Sequence, residues 1–134
     1  DLDDLKVRKL EERSVALIEK IRASNPELQL MANRGLEYSA KFAASIDYLL
    51  LESCFLLDGE KRKAADTNWA LKWLADAKKV NSRLKGVAID YVSLREQSLN
   101  KSQIQLIRDV RSSHVKNNLL SCVSFKDLQS VPRY

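Results

Sequence analysis

The sequence predicts an all-α protein, a single domain of about five helices packed as a helical bundle, and three observations carry that expectation. In the stretch Lys41 to Gly59, KFAASIDYLLLESCFLLDG, residues Phe42, Ile46, Leu49, Leu50, Leu56 and Leu57 recur at spacings of three, four and seven, the stripe expected of a helix turning every 3.6 residues. Only three Gly and two Pro interrupt the chain, and Pro26, Gly59, Gly86 and Pro132 stand where the apolar periodicity breaks. Few, long helices follow. No Asn-Gly or Asp-Gly dipeptide lies between alternating apolar runs, because Asp58-Gly59 reads as the end of a helical stripe, so no sheet is expected.

With 134 residues, 45% of them hydrophobic, the chain can fill one core, and 1–134 reads as a single all-helical domain. An amphipathic N-terminal helix occupies 1–25, core helices fill 26–120, and a short terminal helix and tail make up 121–134. In the first helix, Asp3 to Arg22, Leu10, Leu17, Ile18 and Ile21 face inward, and Asp3, Asp4, Glu11 and Glu12 face solvent. Acidic residues at its start suit the helix dipole. Asn25-Pro26-Glu27 supplies a cap and a first-turn proline for a second helix running to Asp58, with Gly35 able to kink it and Gly59 closing it.

That second helix is apolar nearly all round, because Leu51, Cys54 and Phe55 lie outside its main stripe. Such a helix belongs in a bundle centre or a subunit interface, and it is too interrupted by Lys41, Asp47 and Glu52 to cross a membrane. A third helix from Asp66 turns Ala70, Trp73, Leu74, Ala77 and Val80 inward and ends near Leu84, before Gly86. From Val87 the apolar pattern continues through Ile104 to Val115 as one helix or two, with polar residues from Ser98 to Ser102 at the possible break. Ser124-x-x-Asp127 resembles a capping box for a final turn.

Charge is concentrated. Residues 61–116 hold 13 Lys and Arg against five Asp and Glu, a local charge of +8, while the rest of the chain is −3, giving the net +5. Lys61, Arg62, Lys63, Lys78, Lys79, Arg83 and Lys85 are the candidates for weak, sequence-independent nucleic-acid binding if two helices bring them to one face. The alternative is a solvated face whose Lys and Arg stems cover apolar surface.

Catalysis finds no support in local motifs. His114 stands alone, no H-E-x-x-H, G-x-S-x-G, C-x-x-C or phosphate-cradling Gly loop occurs, and neighbouring carboxylates such as Asp3/Asp4 and Glu11/Glu12 point apart on a helix. Two distant Cys and one His do not form a zinc site. No catalytic residue, metal, cofactor, membrane contact or small-molecule substrate is expected. Cys54 and Cys122 read as reduced core thiols of an intracellular protein. The absence of an initiating Met and of any signal sequence suggests a fragment of a longer protein.

The segment Lys41-Phe42, Ser45-Ile46-Asp47-Tyr48, Phe55 and Gly59, with Ala70 to Leu84 and Ala88, Ile89, Tyr91 and Leu94 after it, resembles the carboxy-terminal homology domain of the AF-four/FMR-two scaffold proteins, which organise the super elongation complex. The likeness spans roughly residues 30 to 120 and is sharp over fewer than 20. It departs from the family pattern at the polar stretch Ser98 to Gln105 and in the short linker after Gly59. The resemblance implies tetratricopeptide-like helical hairpins, pairing as a homodimer or with a paralogue, protein partners in a nuclear transcription elongation complex, and weak nucleic-acid binding. Tyr48, Leu51, Phe55, Trp69 and Trp73 are the candidates for the dimer interface, since aromatic anchors in a desolvated centre carry interfaces. A non-catalytic scaffold module is the leading reading. A basic helical module for nucleic acid or an acidic partner is the alternative, as is an adaptor holding a linear peptide.

Overall fold

The computed structural model describes residues 2–92 and 99–125. It overturns the all-α expectation: the protein is α/β, built on a parallel sheet. In chain order the elements are α1 (Leu2–Ser24), β1 (Met31–Asn33), a short α2 (Ser39–Phe42) between single 3-10 turns, β2 (Tyr48–Glu52), β3 (Leu56–Leu57), β4 (Glu60–Lys61), α3 (Ala64–Val80), β5 (Lys85–Tyr91), α4 (Lys101–Lys116) and β6 (Leu119–Ser124). Strands β1, β2, β5 and β6 form one sheet in that consecutive order, every pair parallel. Neither a helical bundle nor a tetratricopeptide-like hairpin is present among the described residues.

The supposed second helix is where the two readings part. Tyr48 to Glu52 is a strand in the middle of the sheet, flanked by β1 and β5. Its run of three leucines satisfies a helical stripe and a doubly covered strand equally well, and a short apolar run cannot be assigned by periodicity alone. Parallel strands are ordinarily buried on both faces and lose the alternation that marks exposed strands. Asp58 and Gly59 both have positive φ, 52° and 84°, the arrangement of a type I′ hairpin turn. They join β3 to β4, so the dipeptide taken as a helix stop is a hairpin signal after all. Val87 to Tyr91 is also a strand.

Other elements lie close to expectation. α1 and α3 stand near their expected places, although α3 stops at Val80 and Leu84 leads into β5. The polar break before α4 is a capping box: the Asn100 side chain accepts from the Gln103 amide and the Gln103 side chain accepts from the Asn100 amide. The expected final turn after Ser124 falls outside the described residues.

All the described helices lie on one face of the sheet. Leu49 and Leu51 of β2, Ala88 of β5 and Leu119 of β6 join Phe42, Ala43 and Ile46 around α2, and Ala70, Leu74 and Ala77 of α3, in one core, with Val15 and Ile18 of α1 against it. A second core joins Leu56, Ile107 and Val110 of α4, and Val123 of β6. Gly86 belongs to this covered face because a Cβ there would stand 2.5 Å from the side chains of both Leu74 and Leu119. Arg22 pins the end of α1, donating to the carbonyls of Pro26, Leu28 and Ser45 and pairing with Asp47.

Candidate functional site

In an open parallel sheet the strands' carboxyl ends face the loops that vary between proteins, and ligands bind there. Here those ends carry Asn33 on β1, Glu52 on β2 and Tyr91 on β5. Because side chains alternate along a strand, these three project from the face opposite the helices. The Tyr91 hydroxyl donates to Glu52 Oε1 at 2.8 Å. Burial, then that hydrogen bond, pushes the Tyr91 phenol up to about 12, so it stays a proton donor across the physiological range. Glu52 itself is exposed.

Backbone conformation sharpens this rim. Arg34, directly after β1, and Ser53, directly after β2, are non-glycine residues at φ 75° and 52°, a region that such residues enter rarely and that concentrates at functional sites. Asn33, Arg34, Leu36, Leu50, Glu52 and Ser53 line a shallow cleft of about 320 Å³. Ser53 is held in place because its amide donates to the Ile89 carbonyl at 2.8 Å.

Beneath the rim, on the helix side, lies a polar chain that is buried at Asp90 and His114 and reaches the surface at Ser121. Asp90 Oδ1 accepts the amides of Phe55 and Leu56 at 2.8 and 2.7 Å, Asp90 Oδ2 meets His114 Nε2 at 2.7 Å, and His114 Nδ1 meets Ser121 Oγ at 2.6 Å. Asp90 and His114 are fully buried. Both contacts of the ring are satisfied when His114 donates from Nε2 to Asp90 and accepts the Ser121 hydroxyl at Nδ1. The serine, histidine and aspartate follow the order of a hydrolytic relay, with Asp90 and His114 buried and Ser121 at its exposed end. The polar chain ties the segment leaving β2 to β5, β6 and α4, and so fixes the backbone that carries Glu52. His114, which the sequence alone reads as a surface or boundary residue, is therefore a core residue.

The sequence-derived candidates scatter. Of the interface set, Tyr48 lies on the open face, its hydroxyl donating to Gln29, while Leu51 is 1% exposed in the core. Phe55 packs edge-on against His114 at 5.0 Å. Trp69 and Trp73 stack edge-to-face on α3, Trp69 outward at 46% exposure and Trp73 half-buried beneath Lys72. They do not form one seam. Of the basic set, Lys61, Arg62 and Lys63 lie before α3 and Lys78 and Lys79 at its far end, roughly 25 Å away for a helix of 17 residues. Lys61 pairs with Asp109, Arg62 with Asp66 and Lys79 with Asp76. Only Lys78, Arg83 and Lys85 converge, on a cleft of about 850 Å³ at the strands' amino ends that also holds Gln29, Asp47 and Tyr48.

No cluster of side chains able to hold a metal ion occurs among the described residues, and no described helix is long and apolar enough to cross a membrane. Both cysteines are free, and burial pushes the Cys54 thiol up to about 12. No family model and no curated protein matches this chain. Sequence reasoning missed Asn33, Arg34, Glu52, Ser53 and Tyr91, whose significance comes from their position at strand ends. The available signal was the pair of short apolar runs DYLLLE and GVAIDY, each ending in a polar or aromatic residue.

Proposed function

We propose that the protein binds a neutral, hydroxyl-bearing small molecule at the carboxyl rim of its sheet, with the Glu52 carboxylate accepting hydrogen bonds from its hydroxyls and Tyr91 holding that carboxylate in place. The observation that carries this reading is the Tyr91 to Glu52 hydrogen bond across the carboxyl ends of two adjacent parallel strands. Arg34 and Glu52 cancel in formal charge, and Asn33 and Ser53 add neutral donors and acceptors. That composition suits hydroxyl groups better than a phosphate or a free cation. The fold class supports the location, since a consecutive parallel sheet places its sites at this end.

Titration calorimetry with a panel of neutral monosaccharides and disaccharides tests it. Glu52→Gln weakens binding roughly tenfold, the equivalent of one charged hydrogen bond, and Tyr91→Phe weakens it less. Binding unchanged by Glu52→Gln, or no binding across the panel, overturns the proposal.

A second reading is a self-associating interaction module, which the apolar, helix-free face of the sheet favours. A role in a nuclear transcription elongation complex rests on the sequence resemblance alone. The segment carrying that resemblance forms a strand and a hairpin here, and the implied helical hairpins do not form.

A further inference from the structure

Each step from β1 to β2, β5 and β6 moves one place in the same direction. Right-handed crossovers that never reverse direction set every helix on one face, as in a closed eight-stranded barrel and unlike a doubly wound sheet, whose order reverses and whose helices cover both faces. The helix-free face is nonetheless apolar in its middle. Register aligns Asn33, Leu50, Val87 and Leu120 in one row and Glu52, Ile89 and Cys122 in the next. Leu50, Val87, Ile89 and Cys122 are half-buried, whereas the most exposed apolar residues of this face, Met31 at 55% and Leu120 at 51%, sit on the two edge strands. Exposure therefore peaks where another strand would add.

We propose that a second copy of this chain closes the sheet, β6 of each copy pairing in parallel with β1 of the other about a two-fold axis along the strands. Two sets of four strands supply the eight that a closed barrel of this type requires. Closure removes both edges, which are unpaired among the described residues and are otherwise open templates for pairing. It brings Leu120 of one copy beside Met31 of the other and buries Val87 and Ile89 among branched residues, the usual filling of such a barrel. It also encircles the carboxyl rim, so that two Glu52–Tyr91 pairs face one mouth. In this respect the inference rests on the rim reading above.

Light scattering across a concentration series, read with amide hydrogen exchange, tests the closure. The expected result is a particle of twice 15.3 kDa, with the outward-facing β1 and β6 amides, those not bonded to β2 or β5, protected in the dimer and exchanging on dilution. Leu120→Asp returns the particle to 15.3 kDa with unchanged helical circular dichroism. If that variant fails to fold, edge-strand protection in the wild-type protein decides alone. A monomer at every concentration overturns the inference, and so does a dimer whose outward-facing β1 and β6 amides exchange freely, since that is two sheets stacked face to face. A monomer that still binds saccharide through Glu52 defeats the closure and leaves the rim reading intact.

Discussion

The two faces of the central sheet are built from alternate residues of the same strands, yet they live in different surroundings. On the helix face, Leu49, Leu51, Ala88 and Val123 are at most 1% exposed. One residue away on each strand, Leu50, Val87 and Cys122 are only half-buried and Leu120 is half exposed. The side chains are equally apolar, so the difference lies in cover and not in chemistry. One face is a finished core that sets stability, and the other is a surface whose composition asks for a partner. A parallel strand carries this double demand because it is ordinarily covered on both sides.

The largest expected effect breaks the covered face at its polar anchor. Asp90→Ala strands His114 and the amides of Phe55 and Leu56 in a dry interior, and it should cost more than about 3 kcal/mol in urea unfolding. A loss below about 1 kcal/mol would show that the chain from Asp90 to Ser121 does not hold the loop after β2. Next comes a direct contest between neighbours. Measured at a concentration where the chain is monomeric, Leu51→Ala leaves a cavity against α3 and costs about 2 to 5 kcal/mol, while Leu50→Ala costs about 1 kcal/mol, because its side chain there keeps part of its contact with water. Equal losses at the two positions would erase the distinction between the faces.

How much of this was legible in the sequence follows from the same alternation. α1, α3 and α4 were readable because each has room for several helical turns and, in α4, an Asn cap with its Gln partner. The strands were not, because Tyr48 to Glu52 and Lys85 to Tyr91 lack the polar alternation of a one-sided strand, and runs of three or four apolar residues fit either period. Asp58-Gly59 could have corrected the reading, had the short, partly exposed β3 and β4 been recognised as flanking strands. His114 was misplaced because its partners, Asp90 and Ser121, are supplied by two strands of a sheet that the sequence reading did not contain. The rim residues were invisible for the same reason: Glu52 and Tyr91 stand 39 positions apart, and only parallel pairing of β2 and β5 brings them together.

The smallest effect sharpens the comparison at the sheet's other end. The amide of Leu30, then the Arg22 guanidinium, holds the Asp47 carboxyl below its ordinary value of 3.8. A depressed carboxylate stabilises the fold above its unfolded value, and that stabilisation disappears as pH falls through the lower folded value. Asp47→Asn should therefore cost about 1 kcal/mol at neutral pH, modest because the pair is partly exposed. The difference from wild type should vanish at a pH well below 3.8. A difference that persists into acid would assign the effect to side-chain geometry instead of charge.

The most direct test of the functional end is a backbone amide shift map recorded while a neutral disaccharide is added. Shifts are expected at Asn33, Arg34, Glu52, Ser53 and Tyr91, with Tyr48, Lys85 and Leu119 at the strands' amino ends unmoved. Shifts confined to the amino end, beside Lys78 and Arg83, would contradict it.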